Sequence, residues 1–234
     1  IAYLYTINLF SQNLDLDTFT DNINENELKN LIYVYSSDFF KGRETGKIGQ
    51  KRAVKFISEY YESLNIKEAD GTKNYFQKME LNISGNIVQT ENVVAIIEGS
   101  EKPNEYIIIS SHLDHEGEKN GFIYNGADDN SSGTIGVLKI AEAFQKAVLS
   151  GYRPKRSIVF LHLTGEEKGL LGSKYYTDNP LYPLENTMVN LNIDMIGRID
   201  PKHINNEERY IYLIGSNLLS SELHQVSEST NKNT

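Results

Sequence analysis

The sequence predicts an α/β fold of three layers, α/β/α, in which helices cover both faces of a mixed, largely parallel central sheet. The first observation is that strand and helix patterns alternate along the chain after residue 105. The second is that the strands in this part are continuous apolar runs, which is typical of strands buried on both faces. The third is that the earlier strands are joined by turns, which adds antiparallel pairs to the sheet.

Two amphipathic helices and two strands are predicted before residue 100. Apolar residues spaced i, i+3, i+4, i+7 predict the first helix. Its apolar face comprises Leu28, Leu31, Ile32 and Tyr35. The second helix has the clearest period in the chain, with a face formed by Ala53, Phe56, Ile57, Tyr60, Tyr61 and Leu64. Alternation over residues 75–83 predicts a half-buried strand, and the apolar run 93–97 predicts a second strand.

The rest of the chain alternates between the two kinds of element. Strands are predicted at residues 106–109, 157–163, 188–193 and 210–214, and helices at 132–149, 169–176 and 218–226. The polar residues 227–234 are predicted to form a loop. Open α/β sheets bind their ligands outside the carboxyl ends of the strands. The residues that follow each strand are therefore the candidates for a functional site.

Composition and charge exclude several classes of protein. The 234 residues can build one sizeable core, and 39% of them are hydrophobic. The net charge of −9 disfavours binding to nucleic acid or to an anionic membrane. The chain has no cysteine, which excludes disulfides and thiolate metal ligands. It also has no run of 18 apolar residues, so no transmembrane segment is predicted.

Metal-type side chains follow three of the predicted strands. His112 and Asp114 end the first and share a face, because alternate strand residues point the same way. Glu166 and Glu167 follow the next, and Asp194 follows the third. Each motif alone is more typical of a structural pair, a helix cap or a solvated turn. Together they predict a cation site, and nitrogen and oxygen donors without thiolate fit zinc, or cobalt or manganese in its place.

Four motifs resemble those of a known enzyme family. They are S-H-L-D-H-E-G, N-G-A-D-D-N-S-S-G, T-G-E-E-K-G-L-L-G-S and N-I-D-M-I-G-R, with a softer match in F-K-G-R-E-T-G-K-I-G-Q-K-R-A. They resemble the co-catalytic zinc aminopeptidases of the bacterial leucyl aminopeptidase type, a broad family that includes glutamate carboxypeptidase and glutaminyl cyclase. The resemblance extends from about residue 38 to the end of the chain and implies a zinc exopeptidase-like fold.

The resemblance implies a role for each matching residue. The implied metal ligands are His112, Asp128, Glu167 and Asp194. In this scheme His112 and Asp194 hold one zinc ion, Glu167 holds the second, and Asp128 bridges both. Glu166 is implied to be the general base, and Asp114 to orient His112. The family pattern also implies a cis peptide bond between Asp128 and Asp129.

One implied ligand has no match in the sequence. The family's fifth ligand is a histidine well beyond the strand that ends in Asp194, and His203 and His224 lie too early for it. Both are predicted to be surface residues, and His115 and His162 to be structural or to support the ligands. We therefore expect a second zinc site that is incomplete within this chain, with at most one ion bound tightly. We also expect a single catalytic domain over residues 13–234 that is truncated at its C-terminus.

The predicted activity is zinc-dependent hydrolysis of the N-terminal peptide bond of peptides that have a free N-terminus. The resemblance implies a water bridging two zinc ions and Glu166 as its base. Two alternatives stay open on the same fold, a single-zinc acyltransferase like glutaminyl cyclase and a catalytically inactive receptor or binding module. The apolar residues 1–12 are predicted to be the remnant of a signal peptide or an N-terminal extension. A periplasmic or secreted location is the corresponding expectation.

Overall fold

The computed structural model of the chain describes residues 17–203 and 210–233. The chain divides into two compact units, of which the first ends at Gly197 and the second begins at Arg198. The predicted leader or extension at residues 1–12 lies outside the described residues, and the single domain over 13–234 stays a prediction. Among the described helices, none combines the length and apolar character that crossing a bilayer needs.

Helices and strands alternate through most of the described chain. The helices are α1 (Asp17–Thr20), α2 (Glu25–Tyr35), α3 (Ile48–Ser63), α4 (Gly133–Leu149), α5 (Leu171–Asp178), α6 (Ser216–Leu219) and α7 (Ser221–Asn233). The strands are β1 (Lys67–Glu68), β2 (Phe76–Ile83), β3 (Asn86–Ile97), β4 (Lys102–His112), β5 (Gly117–Lys119), β6 (Phe122–Tyr124), β7 (Arg156–Leu163) and β8 (Thr187–Asn192). Short 3₁₀ segments occur at Asp38–Arg43 and Leu184–Asn186.

The main sheet is mixed, as predicted. Its strand order is β1-β3-β7-β4-β8, and β2 pairs with β3 outside this path. The pairings of β3 with β1, β2 and β7 are antiparallel, whereas β4 runs parallel to both β7 and β8. The parallel part of the sheet is thus formed by β4, β7 and β8, whose carboxyl ends lie at one edge. These are the three strands that the predicted site residues follow.

The central strands divide their apolar side chains between two cores. In β3, Val93 and Ala95 belong to the core that also contains residues of α2, α3 and α4. Their neighbours Val94 and Ile96 belong to a second core with Tyr176 of α5. Because successive strand residues point to opposite faces, one continuous apolar run supplies both cores. Helices therefore cover the two faces of the sheet, which confirms the predicted three-layer α/β architecture.

The structure contains strands that were not predicted, because their sequences are polar and lack an apolar run. Strand β3 begins at Asn86 rather than at residue 93, because its polar first half pairs with β2, for example Gln89 with Glu80. No strand is predicted between residues 110 and 131, where β5 and β6 form a hairpin. Cross-strand pairing stabilises such segments without an apolar run.

Two predictions for the second unit are wrong. Residues 210–214 form no strand, although their composition favours one. A strand needs a partner, whereas here the hydroxyl of Tyr212 donates to the Asp200 carboxylate at 2.9 Å. The predicted loop at 227–234 is instead helical to Asn233. Ser227 donates back to the carbonyl oxygen of Leu223 at 2.9 Å, so this side-chain hydroxyl is satisfied within the helix.

Candidate metal centre

The candidate site lies at the carboxyl edge of the parallel strands. His112 is the last residue of β4 and pairs with Leu163, the last residue of β7. The backbone N–H of Ile193, one residue before Asp194, donates to the carbonyl oxygen of Ser110 in β4 at 2.8 Å. This parallel register brings the end of β4 beside the residues that follow β7 and β8. The irregular segment 127–132, which precedes α4, supplies the remaining acidic groups.

The first group of donor atoms surrounds the buried ring of His112. Its Nε2 atom lies 3.1 Å from Oδ1 of Asp129 and 3.6 Å from Oδ1 of Asp194. Ligands about 2.1 Å from a tetrahedral zinc ion are about 3.4 Å from one another. The three atoms thus have the separations of ligands around one small cation. We call these three residues the first cluster.

A second group of donor atoms lies on the other side of Asp129. Here Nδ1 of His115 is 2.6 Å from Oε1 of Glu167 and 3.9 Å from Oδ2 of Asp129. These atoms also lie within 4.8 Å of one another. We call His115, Asp129 and Glu167 the second cluster. His115 is predicted to be structural or to support the ligands, and the structure places its ring beside Glu167 and Asp129.

The residue shared by both clusters is Asp129, not Asp128. One carboxylate oxygen of Asp129 faces His112 and the other faces His115. Asp128 belongs to neither cluster, and its Oδ1 accepts the backbone N–H of Gly197 at 2.8 Å. The structure thus places Asp129, rather than the Asp128 of the prediction, between the two clusters. The cis peptide bond is displaced in the same way, since it joins Asp129 to Asn130.

The neighbours of Asp129 hold it in place. Asn130 donates through Nδ2 to the carbonyl oxygen of Ile193 at 3.0 Å and accepts the N–H of Gly133 at 2.8 Å. Ser132 donates to the carbonyl oxygen of Asp128 at 2.7 Å and accepts the N–H of Ile196 at 3.1 Å. These bonds tie the segment before α4 to the segment after β8. As a result, Asp129 and Asp194 face the same imidazole.

Asp114 connects the end of β4 with the residues after β7. Its carboxylate is fully buried and accepts the backbone N–H of Glu166 at 3.1 Å and the hydroxyl of Thr45 at 2.9 Å. The nearest partner of His112 Nδ1 is the backbone carbonyl oxygen of Asp114 at 3.1 Å, and the carboxylate is 3.9 Å away. Asp114 thus orients His112 through its main chain and holds the backbone of Glu166 through its side chain.

Glu166 stands beside the clusters and belongs to neither of them. Burial raises the pKa of its carboxyl group, the positive charge of His112 lowers it, and the acids Glu167, Asp114 and Asp194 raise it further. The net shift is upward, toward a group that accepts a proton more readily. Glu166 is therefore a carboxylate of raised pKa that lies outside both clusters.

The electrostatics of the two histidines differ. Burial opposes charge on His112, yet its hydrogen bond to the Asp194 carboxylate and the charges of Asp114 and Asp194 raise its pKa to about 9. Without a cation this ring therefore carries a proton, which a bound metal would have to displace. Burial lowers the pKa of His115, an effect that the charge of Asp129 opposes.

A buried arginine next to the site was missed in the sequence. Arg43 is fully buried and donates to the carbonyl oxygens of Leu113 at 3.0 Å, Asn125 at 2.8 Å and Gly126 at 2.8 Å. It also donates to the carbonyl oxygen of Tyr35 at 3.1 Å. The G-R-E-T-G motif contained the signal, but it is distant from the other motifs in the chain.

The donor atoms fit a transition metal. Nδ1 of His115 and Oε1 of Glu167 are buried and 2.6 Å apart, yet neither has a partner in hydrogen-bonding geometry. Buried polar atoms without partners are costly, and a nearby bound cation would offset that cost. Two imidazoles and three carboxylates in the two clusters suit zinc, cobalt or manganese. In the described residues, neither group of metal-type side chains includes His203 or His224.

Comparison with known proteins shows which of them this chain resembles. It is 34% identical over 109 residues, 46% of this chain, to a probable glutamate carboxypeptidase, LAMP1, of Arabidopsis thaliana. It is 36% identical over 108 residues, 45% of this chain, to the aminopeptidase NAALADL1 of Rattus norvegicus. The matches span 15% and 14% of the length of these two relatives.

The fold has solved counterparts. The glutaminyl cyclase of Porphyromonas gingivalis superposes with a TM-score of 0.60 at 17% identity, covering 74% of this chain and 61% of that one. This likeness confirms the fold. The family model for peptidase family M28 matches residues 92–233, which include both clusters, Asp114 and Glu166. The chain therefore belongs to peptidase family M28.

Proposed function

We propose that this chain forms the catalytic part of a zinc-dependent aminopeptidase that holds two metal ions and uses Glu166 as its general base. The observation that carries the proposal is the position of Asp129. Its two oxygens face two separate donor clusters, as a carboxylate shared by two ions would. In the proposed arrangement, His112 and Asp194 complete one site and Glu167 belongs to the other.

The reaction needs a nucleophile, a polarised carbonyl group and a proton carrier. Zinc, when bound, supplies Lewis acidity and lowers the pKa of its water toward neutrality. Glu166 takes the proton of the attacking water and delivers it to the departing amine, as its raised pKa favours. Asp114 fixes the backbone of Glu166 by accepting its N–H at 3.1 Å. The base thereby keeps its place between the strand ends.

Two features of the structure favour this function over its alternatives. A single-zinc acyltransferase needs one donor cluster, whereas this chain has two that share a residue. A binding module without catalysis does not need a carboxylate of raised pKa that is left out of the clusters. A carboxypeptidase would use the same metal centre. The two activities differ in which end of the peptide the enzyme recognises. Assays with suitable peptide substrates distinguish them.

The test combines substrates and a variant of the base. The zinc-loaded protein should release the first residue from a peptide with a free N-terminus and should leave its N-acetylated form intact. Glu166→Gln should retain the metal content but lower kcat by about 100- to 10,000-fold. Glu105→Gln is the matched control, because Glu105 lies in β4 before Tyr106, far from the carboxyl end of the strand.

Several outcomes would contradict the proposal. Release of the last residue from both peptides would indicate a carboxypeptidase. Cyclisation of an N-terminal glutamine without peptide cleavage would indicate the acyltransferase. Near-normal kcat in Glu166→Gln would exclude Glu166 as the base, whatever the substrate.

A further inference from the structure

The segment that carries Glu166 is a loop whose two ends meet. It extends from residue 164, directly after β7, to residue 172, and we call it the Glu166 loop. A Cβ atom added to Gly172 would lie 2.1 Å from the carbonyl oxygen of Thr164, so the two ends are in close backbone contact. Both ends are buried, whereas residues 169 and 170 at the tip are exposed. The position of the loop therefore depends on what holds its ends.

One side chain outside the Glu166 loop is bonded to both of its ends. Asn92 of β3 is fully buried, and its Oδ1 accepts the backbone N–H of Thr164 at 3.0 Å. Its Nδ2 donates to the carbonyl oxygen of Gly172 at 3.1 Å and to Oε1 of Gln77 at 2.9 Å. Gln77 lies opposite Asn92 in the pairing of β2 with β3, and it donates to the carbonyl oxygen of Asn179 at 2.8 Å. The amide of Asn92 is thereby held in place and closes the loop at its ends.

The two ends of the loop present groups of opposite kind. The backbone N–H of Thr164 can only donate, and the carbonyl oxygen of Gly172 can only accept. An asparagine side chain carries an acceptor and a donor on one carbon atom, so it satisfies both. An ionised aspartate has no donor, and alanine has neither group. Either substitution of Asn92 would therefore leave at least one buried backbone group without its partner.

The Glu166 loop is held from the two strands that flank β7. In the main sheet, β7 lies between β3 and β4. From β3, Asn92 binds both ends of the loop. From the end of β4, the carboxylate of Asp114 accepts the N–H of Glu166 at 3.1 Å. One contact fixes where the loop begins and ends, and the other fixes the backbone of Glu166 within it.

We propose that Asn92 is a positioning residue of the reaction, which keeps the Glu166 loop in the place from which Glu166 acts on the attacking water. The hydrogen bonds of its side chain go to Thr164, Gly172 and Gln77, so Asn92 acts through the loop and not on the substrate. A misplacement of about 1 Å in a reacting group can cost about 100-fold in rate. The inference rests on the proposed function, which assigns Glu166 the role of base.

The first experiment measures whether Asn92 acts through Glu166. In the zinc-loaded protein, Asn92→Ala should lower kcat by about 10- to 100-fold and change KM by less than about threefold. In a Glu166→Gln background the same substitution should lower kcat by less than about twofold, because the base whose position it sets is absent. A loss of folded protein would instead lower kcat equally in both backgrounds.

Asn22→Ala is the matched control for this measurement. Asn22 is also a buried asparagine that donates to a backbone carbonyl oxygen, but its partner at 3.2 Å is Lys139 in α4. The kcat of this variant should stay near that of the wild type, because the substitution does not touch the Glu166 loop.

The second experiment needs neither metal nor substrate. In the metal-free protein, amide hydrogen exchange at Thr164 should be at least about 10-fold faster in Asn92→Ala than in the wild type. Exchange at Leu161, within β7, should be unchanged. In the wild type, the side-chain amide protons of Asn92 should exchange slowly, and this measurement does not require a variant to fold.

The outcomes separate this inference from the proposed function. Rapid exchange of the Asn92 side-chain amide in the wild type, or equal losses of kcat in the two backgrounds, would overturn the positioning role. Near-normal kcat in Asn92→Ala together with a strong loss in Glu166→Gln would overturn the inference alone. Near-normal kcat in Glu166→Gln would overturn both the role of Glu166 as base and the inference that depends on it.

Discussion

At the scale of single residues, the site depends on two adjacent acids that have different tasks. Asp129 directs its two oxygens at His112 and His115, and Asp128 uses one oxygen to accept the N–H of Gly197. Adjacent residues in an irregular segment point in different directions, so one supplies charge to the clusters and the other fastens the chain. Because both residues are aspartates, residue type alone cannot show which one faces the clusters and which one accepts the N–H of Gly197.

This division leads to a prediction for the pair. Asp129→Asn should weaken both metal ions together, because both clusters lose the same carboxylate. Asp128→Asn keeps an oxygen for the N–H of Gly197 and should retain both ions, with a cost of about 1 kcal/mol or less in stability. Zinc counting on the two purified variants measures the difference. Loss of both ions in Asp128→Asn with retention in Asp129→Asn would restore Asp128 as the bridge.

At the scale of elements, one side chain joins the segments that carry the site. Arg43 is the last residue of the 3₁₀ segment after α2 and donates to the main chain at Leu113, Asn125 and Gly126. The first of these lies between the two site histidines, and the others precede the segment of Asp129. The buried guanidinium therefore fixes two loops relative to each other. Its charge also offsets that of the nearby acids, among them Asp114 and Asp129.

We predict that Arg43→Lys weakens zinc binding at both sites by about 10- to 100-fold, as removal of supporting residues around metal ligands does. A lysine keeps the charge but cannot reproduce the planar fork that reaches several carbonyl groups at once. Arg156→Lys is the control, since Arg156 pairs with Glu105 in a partly exposed ion pair far from the carboxyl ends of the strands. Equal zinc affinities in the two variants would show that charge alone is needed.

The elements that the sequence predicted well are those with a strong apolar pattern. Helices α2, α3 and α4 and strand β7 lie within a few residues of their predicted bounds. The first half of β3 and the hairpin of β5 and β6 were missed, because cross-strand partners stabilise them rather than an apolar run. The strand expected at 210–214 failed for the converse reason: strand-like composition does not provide a partner.

At the scale of the whole molecule, the place of the site was predictable and its detailed membership was not. Parallel strands end at one edge of a sheet, so His112, Glu167 and Asp194 could be brought together from the sequence. Arg43 and His115 could not, because their roles depend on long-range packing. Arg43 reaches the site from 70 residues away along the chain. The ring of His115 lies against Gly126, where an added Cβ atom would come within 2.6 Å of two ring carbons.

The interior of the sheet contains a histidine that links stability to pH. His162 of β7 is fully buried, and its ring nitrogens contact the hydroxyl groups of Tyr61 at 2.7 Å and Ser111 at 3.1 Å. Burial lowers its pKa to about 3. The unfolded chain has an ordinary histidine pKa near 6.5 and binds the proton first as the pH falls. The contribution of His162 is therefore fully present above about pH 6.5 and is lost between there and pH 3.

This shift in the pKa of His162 predicts how the free energy of unfolding depends on pH. Over that window a single group of this kind removes about 1.4 kcal/mol per pH unit, or about 2 kcal/mol between pH 7 and pH 5. His162→Gln retains a polar side chain that does not titrate, so its unfolding free energy should decrease less over the same interval. Urea unfolding of the metal-free wild type and variant at pH 7, 6 and 5 measures the two slopes. Identical slopes would mean that His162 takes up its proton in the folded protein with the same pKa as in the unfolded chain, which would contradict the prediction.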